Sequence, residues 1–247
     1  MAYVILRLGL MIRYLVVMVL SIGIPVAVGY LASRDTSAVM TAATSPIYHG
    51  PSERRLIALT FNVCWGEEHL PKMLRCLREN KVGATFFLGG QWVEKYPELA
   101  REIGRNFEVG NHGYAHRHPD QLSTADNLAE IRRSEAVIQN TLRKRPRLFA
   151  PPYGECGPPV LEAADKAGYR VIMWSIDPVD WRPQPAPVIS SKIITKAHNG
   201  AIVLLHPTAA TAEALPAIIN NLAGRGFEFV TVSELLTDRG ESPSPAS

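Results

Sequence analysis

Asn111-His112-Gly113-Tyr114-Ala115-His116 sets two histidines four residues apart. At that spacing two imidazoles can share one face of a helical turn and enter a single tetrahedral zinc site. A strand-like stretch, residues 107–111, runs directly into the pair. An isolated HxxxH is more often two unrelated histidines on a solvated turn, so the rest of the chain has to decide. Its other unusual polar residues also collect just after apolar runs. Asn62, Cys64 and Trp65 follow the run 56–61, and Pro151-Pro152-Tyr153-Gly154 follows 147–150. Asp177, Asp180 and Trp181 follow 169–174, and His206 follows 201–205. A carboxylate such as Asp180 could fix the tautomer of His206 and hold it as a general acid for a leaving amine. The plainer alternative for His206 is a satisfied rim histidine. Trp181 could wall that pair from water, whereas Trp174 reads as core.

Helical periodicity covers residues 68–80, with Leu70, Met73, Leu74 and Leu77 on one face, then 93–104, 122–142, 158–167, 188–197 and 211–223. A last turn is expected at 232–236. Gly104 and Gly168 are stop signals, and Pro158-Pro159 is a start. Short apolar runs at 56–61, 84–88, 107–111, 147–150, 169–174, 201–205 and 227–230 read as strands. Strands alternating with helices imply a parallel sheet with crossover connections. Seven units in residues 55–237 fit an α/β fold with one domain, a distorted (β/α)7 barrel. Such a barrel puts every strand end named above on one rim, where sites are built. A doubly wound open sheet is the alternative; the chain lacks the glycine fingerprint of a nucleotide loop.

Before the domain lie a short N-terminus, residues 1–13, an uncharged apolar segment, 14–33, and a Ser/Thr/Ala/Pro-rich linker, 34–54. Twenty uncharged, mostly apolar residues rise about 30 Å as a helix, enough to span a bilayer core. Arg7 and Arg13 precede them, so the N-terminus is expected in the cytoplasm and the domain outside, on a single-pass anchor at the cell membrane. Ala27-Val28-Gly29 leaves a cleaved signal and a secreted protein as the alternative. The tail 238–247 is polar and expected to be disordered.

The chain has 247 residues, 47% of them hydrophobic, and a net charge of +3. Five basic and two acidic residues fall in 1–55, leaving 21 of each in 56–247. A neutral domain calls for no nucleic-acid partner. The run Arg143-Lys144-Arg145-Pro146-Arg147 reads as a solvated turn, with contact to an anionic wall polymer as the sharper alternative. Three cysteines, Cys64, Cys76 and Cys156, have no CxxC spacing and allow at most one disulfide.

The order of these motifs resembles the polysaccharide deacetylase family, whose members remove N-acetyl groups from chitin or peptidoglycan sugars with a divalent metal, usually zinc. The resemblance covers residues 55–237. It implies a distorted (β/α)7 barrel, with His112 and His116 as metal ligands and His206, in Leu204-Leu205-His206, as general acid. It implies further that Asp180 supports that acid, that the Tyr153 N–H helps bind the oxyanion, and that Trp181, Asp177 and Pro152 line a substrate groove. The implied partner is peptidoglycan or another polysaccharide containing N-acetylglucosamine.

Three positions depart from the family pattern. Thr60-Phe61-Asn62-Val63 stands where the family has Thr-Phe-Asp-Asp. Asn62 occupies the place of the general base and Val63 that of a metal-binding aspartate. Ala150 replaces the arginine that pairs with the base. Base and partner are lost together, which avoids a guanidinium without a carboxylate in a partly buried site. Cys64, Glu67 or His118 could supply a third metal ligand. The altered first motif resembles deacetylase-like proteins of spore-forming bacteria. Two functions are therefore open: an impaired N-deacetylase of cell-wall polysaccharide, or a pseudoenzyme that keeps the groove and binds glycan.

Overall fold

The computed structural model describes residues 45–237. The apolar segment 14–33 and the tail 238–247 lie outside them. Among the described residues no helix is long and apolar enough to cross a membrane.

The sheet is built on β1, Leu56–Val63. It pairs in parallel with β2, Ala84–Leu88, and with β6, Ala201–Leu205. Beyond β2 come β3, Glu108–Asn111, β4, Leu148–Phe149, and β5, Arg170–Val171, all parallel. The order is β5-β4-β3-β2-β1-β6, and β7, Glu228–Phe229, joins the start of β1. The sheet curls, because a parallel bridge from Ile176 to Val203 brings the chain after β5 to β6.

Helices cover the outer face: α1 Leu70–Glu79, α2 Gly90–Lys95, α3 Pro97–Asn106, α4 Thr124–Leu142, α5 Pro158–Ala167, α6 Ala186–Lys196 and α7 Ala209–Gly224. The short α8, Val232–Thr237, follows β7. Most start and stop where the sequence places them. Ser123 caps α4 through the Asp126 amide, and Gly168 ends α5 at φ +74°. Two expectations fail for local reasons. The single helix over 93–104 is two helices broken at Tyr96, because Pro97 disfavours helical backbone in the residue before it. The strand over 169–174 is regular only at Arg170–Val171. Past that point its partner is Ile47, whose N–H donates to Val171 O at 2.9 Å and whose carbonyl accepts from Met173 N at 2.8 Å. Ile47 and His49, read from sequence as linker, thus add to the sheet, His49 by an antiparallel bridge to Ala201.

Alternation along β1 sorts its side chains. Ile57, Leu59, Phe61 and Val63 enter the core between sheet and helices. Leu56 and Ala58 enter a second cluster inside the curl, with Phe87, Leu148, Ala150, Ile172, Ile202 and, from α8, Val232 and Leu235. Asn62 keeps the inward phase. Burying a Leu, Ile or Phe is worth about 1.5–3 kcal/mol. A one-residue slip of β1 would turn all eight side chains to the wrong side, so this register is strongly fixed. The Arg143–Arg147 run sits at the opposite end of the sheet, before β4. There Arg145 is taken by Glu135 at 2.8 Å and by the Ala167 carbonyl at 3.1 Å, as a structural turn would have it.

Candidate active site

Cys64, His112, Tyr153, Asp180 and His206 all follow the C-terminal ends of parallel strands or of the chain extending β5, so they share one edge of the sheet. The histidine pair is held by a loop and not by a helical turn. Asn111 Oδ1 accepts the Gly113 amide at 2.8 Å, and its Nδ2 donates to the Ile131 carbonyl of α4 at 2.9 Å. The first amides of α2, Gly90 and Gln91, donate to the Gly113 and Tyr114 carbonyls. Glu130 accepts the Ala115 amide. His116 takes the left-handed region, φ +52°, which turns its ring back to 5.1 Å from that of His112, edge to face.

His112 is buried, and its Nδ1 donates to the Ala150 carbonyl at 2.7 Å. That bond fixes the tautomer and leaves Nε2 as a lone-pair donor. Burial pushes the His112 pKa down to about 3, with the nearby His116 and His206 adding to the effect, and burial lowers His116 as well. Both rings are thus neutral imidazoles, the form that binds a metal. The pH dependence of stability follows. Below pH 6.5 an unfolded His112 takes a proton that the folded one refuses, so the metal-free fold loses about 1.4 kcal/mol per pH unit from this group as pH falls from 6.5 towards 3. Urea unfolding of wild type is expected to weaken more steeply between pH 6.5 and 5 than that of His112→Asn. Equal slopes would show that His112 titrates normally in the fold.

Cys64 supplies the neighbour. One ligand atom each from Cys64, His112 and His116 lie within 4.8 Å of one another, a sulfur and two nitrogens that suit zinc. Of the other third-ligand candidates, Glu67 accepts from the Tyr96 hydroxyl, and His118 pairs with Glu155 at 2.8 Å and stacks on Tyr153 at 3.8 Å. All three cysteines are free thiols.

Across the edge, Asp180 is buried and both of its oxygens are used. Oδ1 accepts from His206 Nδ1 at 2.8 Å; Oδ2 accepts the His206 amide at 2.7 Å and the Thr211 hydroxyl at 2.6 Å. His206 therefore offers Nε2 to the site. Asp180 sits after a strained turn, in which Val179 has φ +63° and its amide donates to Asp177 Oδ1 at 2.6 Å. Asp177 thus shapes the turn that aims Asp180. The indole against His206 is Trp65, parallel to it with centroids 6.0 Å apart; Trp181 carries Arg182 over its own ring at 4.6 Å. Gly66, at φ +78°, allows the Trp65 placement, since a Cβ there would lie 2.0 Å from the Pro207 carbonyl oxygen. Trp65 and Thr211 were not given these roles by sequence. Both depend on two loops meeting across the edge, and only the capping pattern Thr208-x-x-Thr211 marks Thr211 locally.

Tyr153 adopts φ +59° and stands between His116 and His118. Pro152 is buried and packed beneath Gly113. The substituted positions divide. Asn62 is buried on the inner face, and its Oδ1 has no hydrogen-bond partner. Ala150 is on the same face, in the inner cluster. Val63 points away, into the core under the helices.

Residues 49–172 match the family model described as polysaccharide deacetylase. The Bacillus subtilis protein YlxY is 38% identical over 78% of this chain, which spans 61% of that relative's length. A peptidoglycan-N-acetylglucosamine deacetylase of Bacillus cereus is 34% identical, with 75% of this chain and 90% of that protein covered. The crystal structure of BA3943 of Bacillus anthracis, described as a CE4 family pseudoenzyme, superposes with a TM-score of 0.76 at 37% identity, covering 78% of this chain and 69% of that one. A BA3943 mutant, described as having restored enzymatic activity, superposes equally well.

Proposed function

Because the chain belongs to the polysaccharide deacetylase family, we propose that it engages N-acetyl groups of a cell-wall polysaccharide of the peptidoglycan kind, with a working acid and no base. The observation that carries this reading is the contrast between two buried polar groups. Asp180 has every oxygen bonded and holds His206 ready to protonate a departing amine. Asn62 has an orphaned Oδ1 where the family keeps its general base. An amide cannot take a proton from water near neutral pH, so hydrolysis of the acetamide is weak.

His112 and His116 are the metal ligands in this reading, with neutral rings and Nε2 of His112 free. A divalent ion bound there, zinc above all, would polarise the acetyl carbonyl. The Tyr153 N–H would face the oxyanion formed as water adds to the acetyl carbon, and His206 Nε2 would give its proton to the amine nitrogen as the C–N bond breaks, while the proton lost by the water finds no side-chain base and passes to solvent. The curled sheet is read as the family's distorted (β/α)7 barrel. In this reading residues 14–33 are a membrane anchor that keeps the domain outside the cytoplasm, with secretion after signal cleavage as the other route. A role in sporulation rests on the first-motif resemblance alone.

Exposed aromatics ring this edge: Trp65 is 43% exposed, Trp181 47% and Tyr153 55%. Flat apolar faces with polar rims suit pyranose rings. The purified protein is expected to bind N-acetylglucosamine oligomers, and Trp65→Ala to weaken that binding by about 3- to 10-fold. Acetate release measured in the same samples decides between two readings. Slow release that vanishes in His206→Ala supports the impaired enzyme. Binding without release supports a glycan-binding pseudoenzyme, a reading favoured by the similarity to BA3943. Failure of binding and of release together would sink both.

A further inference from the structure

The structure assigns Cys64 as the third protein ligand of the metal site, making it a Cys/His/His centre that selects soft divalent ions, zinc first, over magnesium, calcium or manganese. This rests on His112 and His116 being the metal ligands, and it goes further by naming a donor that the family pattern does not contain.

Four observations converge on it. The sulfur and one nitrogen of each histidine lie within 4.8 Å of one another, and among the described residues these three make the group with that geometry. Tetrahedral zinc, with bonds of about 2.0–2.3 Å, needs ligand atoms about 3.5 Å apart, so a shift of about 1 Å completes the site. His112 is already oriented through its Nδ1 bond to the Ala150 carbonyl. Room for the thiol is built into β2's exit: a Cβ on Gly89 would fall 2.5 Å from Sγ. Finally, Val63 does not reach the site, because its side chain is packed in the outer core. The residue that the chain does present beside the histidines is Cys64.

A thiolate changes the chemistry. Carboxylate and water suit hard ions, whereas sulfur favours zinc and its softer neighbours. Binding exchanges the Cys64 S–H bond for an S–metal bond and releases one proton to solvent. It leaves three protein ligands and an open position, the count of a catalytic zinc site.

The test uses the full chain, stripped of metal and titrated with cobalt(II) under reducing conditions. One equivalent is expected to bind, with a thiolate-to-cobalt charge-transfer band in the near ultraviolet. Cys64→Ser is expected to lose that band and to weaken binding at least tenfold, since even losing a supporting partner of a ligand costs about 10- to 100-fold. Cys76 and Cys156 remain as controls, and zinc is expected to slow alkylation at Cys64 but not at those two. Thermal unfolding of metal-free Cys64→Ser, expected to match wild type, separates ligand loss from misfolding; if it does not match, the alkylation pattern in wild type decides. Cobalt bound without the band, equally in wild type and Cys64→Ser, overturns the assignment while leaving the two-histidine site standing. Failure to bind any metal overturns both. Tighter manganese than zinc binding would also overturn it.

Discussion

Acetate release from N-acetylglucosamine oligomers by Asn62→Asp is expected to exceed that of wild type by about 10²–10⁴-fold at pH 7, the usual contribution of a general base. Asparagine and aspartate have the same shape, so the change needs no repacking. The Asn62 Oδ1 that becomes a carboxylate oxygen has no hydrogen bond to lose. The site is buried and lacks a cation at position 150. Burial disfavours ionisation of a carboxylate there, and a divalent ion held by the neighbouring histidines would favour it, so the carboxylate is expected to serve as a base at pH 7. Adding Asp180→Asn is expected to remove most of the gain, because His206 then loses the acceptor that fixes its tautomer. If wild type already matches Asn62→Asp, proton removal was never limiting and the account of an incomplete site fails.

Ala150→Arg sharpens the same point. Alone it places a guanidinium in the inner apolar cluster with no carboxylate to meet it, a cost of about 3–5 kcal/mol. Combined with Asn62→Asp, part of that cost is recovered, and the coupling is readable from a double-mutant cycle of urea unfolding. The arginine lowers the new carboxylate's pKa, so the rising limb of the pH–rate profile moves to lower pH than in Asn62→Asp alone. Such a coupling would account for a chain that lacks both residues and not one. Either one without the other is costlier than neither.

The site edge was legible because each short buried run ends in polar residues that have no business in a core. His112, Asp180 and His206 could be gathered from that pattern alone. The local geometry was not legible. HxxxH spacing fits a helical turn, yet here a loop with left-handed Gly113 and His116 brings the same two rings together. Two backbones satisfy one spacing, and choosing between them takes the Asn111 and α2 hydrogen bonds, which join residues distant in sequence. The Trp65–His206 stack and the Cys64 thiol beside the histidines are likewise products of strand order. The two-residue strands β4, β5 and β7 were placed but over-extended, because an apolar run carries no mark of where its partner changes, as from β4 to Ile47 at Ile172.

Val63→Asp is expected to unfold the protein or to cost it about 3–5 kcal/mol, without improving metal binding. Motif alignment alone recommends the opposite, since it restores the family's second aspartate. Alternation along β1 decides. Val63 is wholly buried with Leu59, Phe61, Leu70 and Leu88 in the core beneath the helices. A carboxylate there loses the transfer energy of a valine and must either shed its proton into an apolar medium or stay neutral with unpaired oxygens. The Cys64→Asp change, one residue later, puts a carboxylate beside the histidines, where a bound ion can offset its burial, and is expected to cost less stability than Val63→Asp while shifting metal preference towards harder ions. Unfolding midpoints and metal stoichiometry of the two variants are the comparison to make. A well-folded Val63→Asp protein with tightened zinc would return residue 63 to the site and move Cys64 out of it, because the two side chains leave successive positions of one strand end and only one can face the histidines.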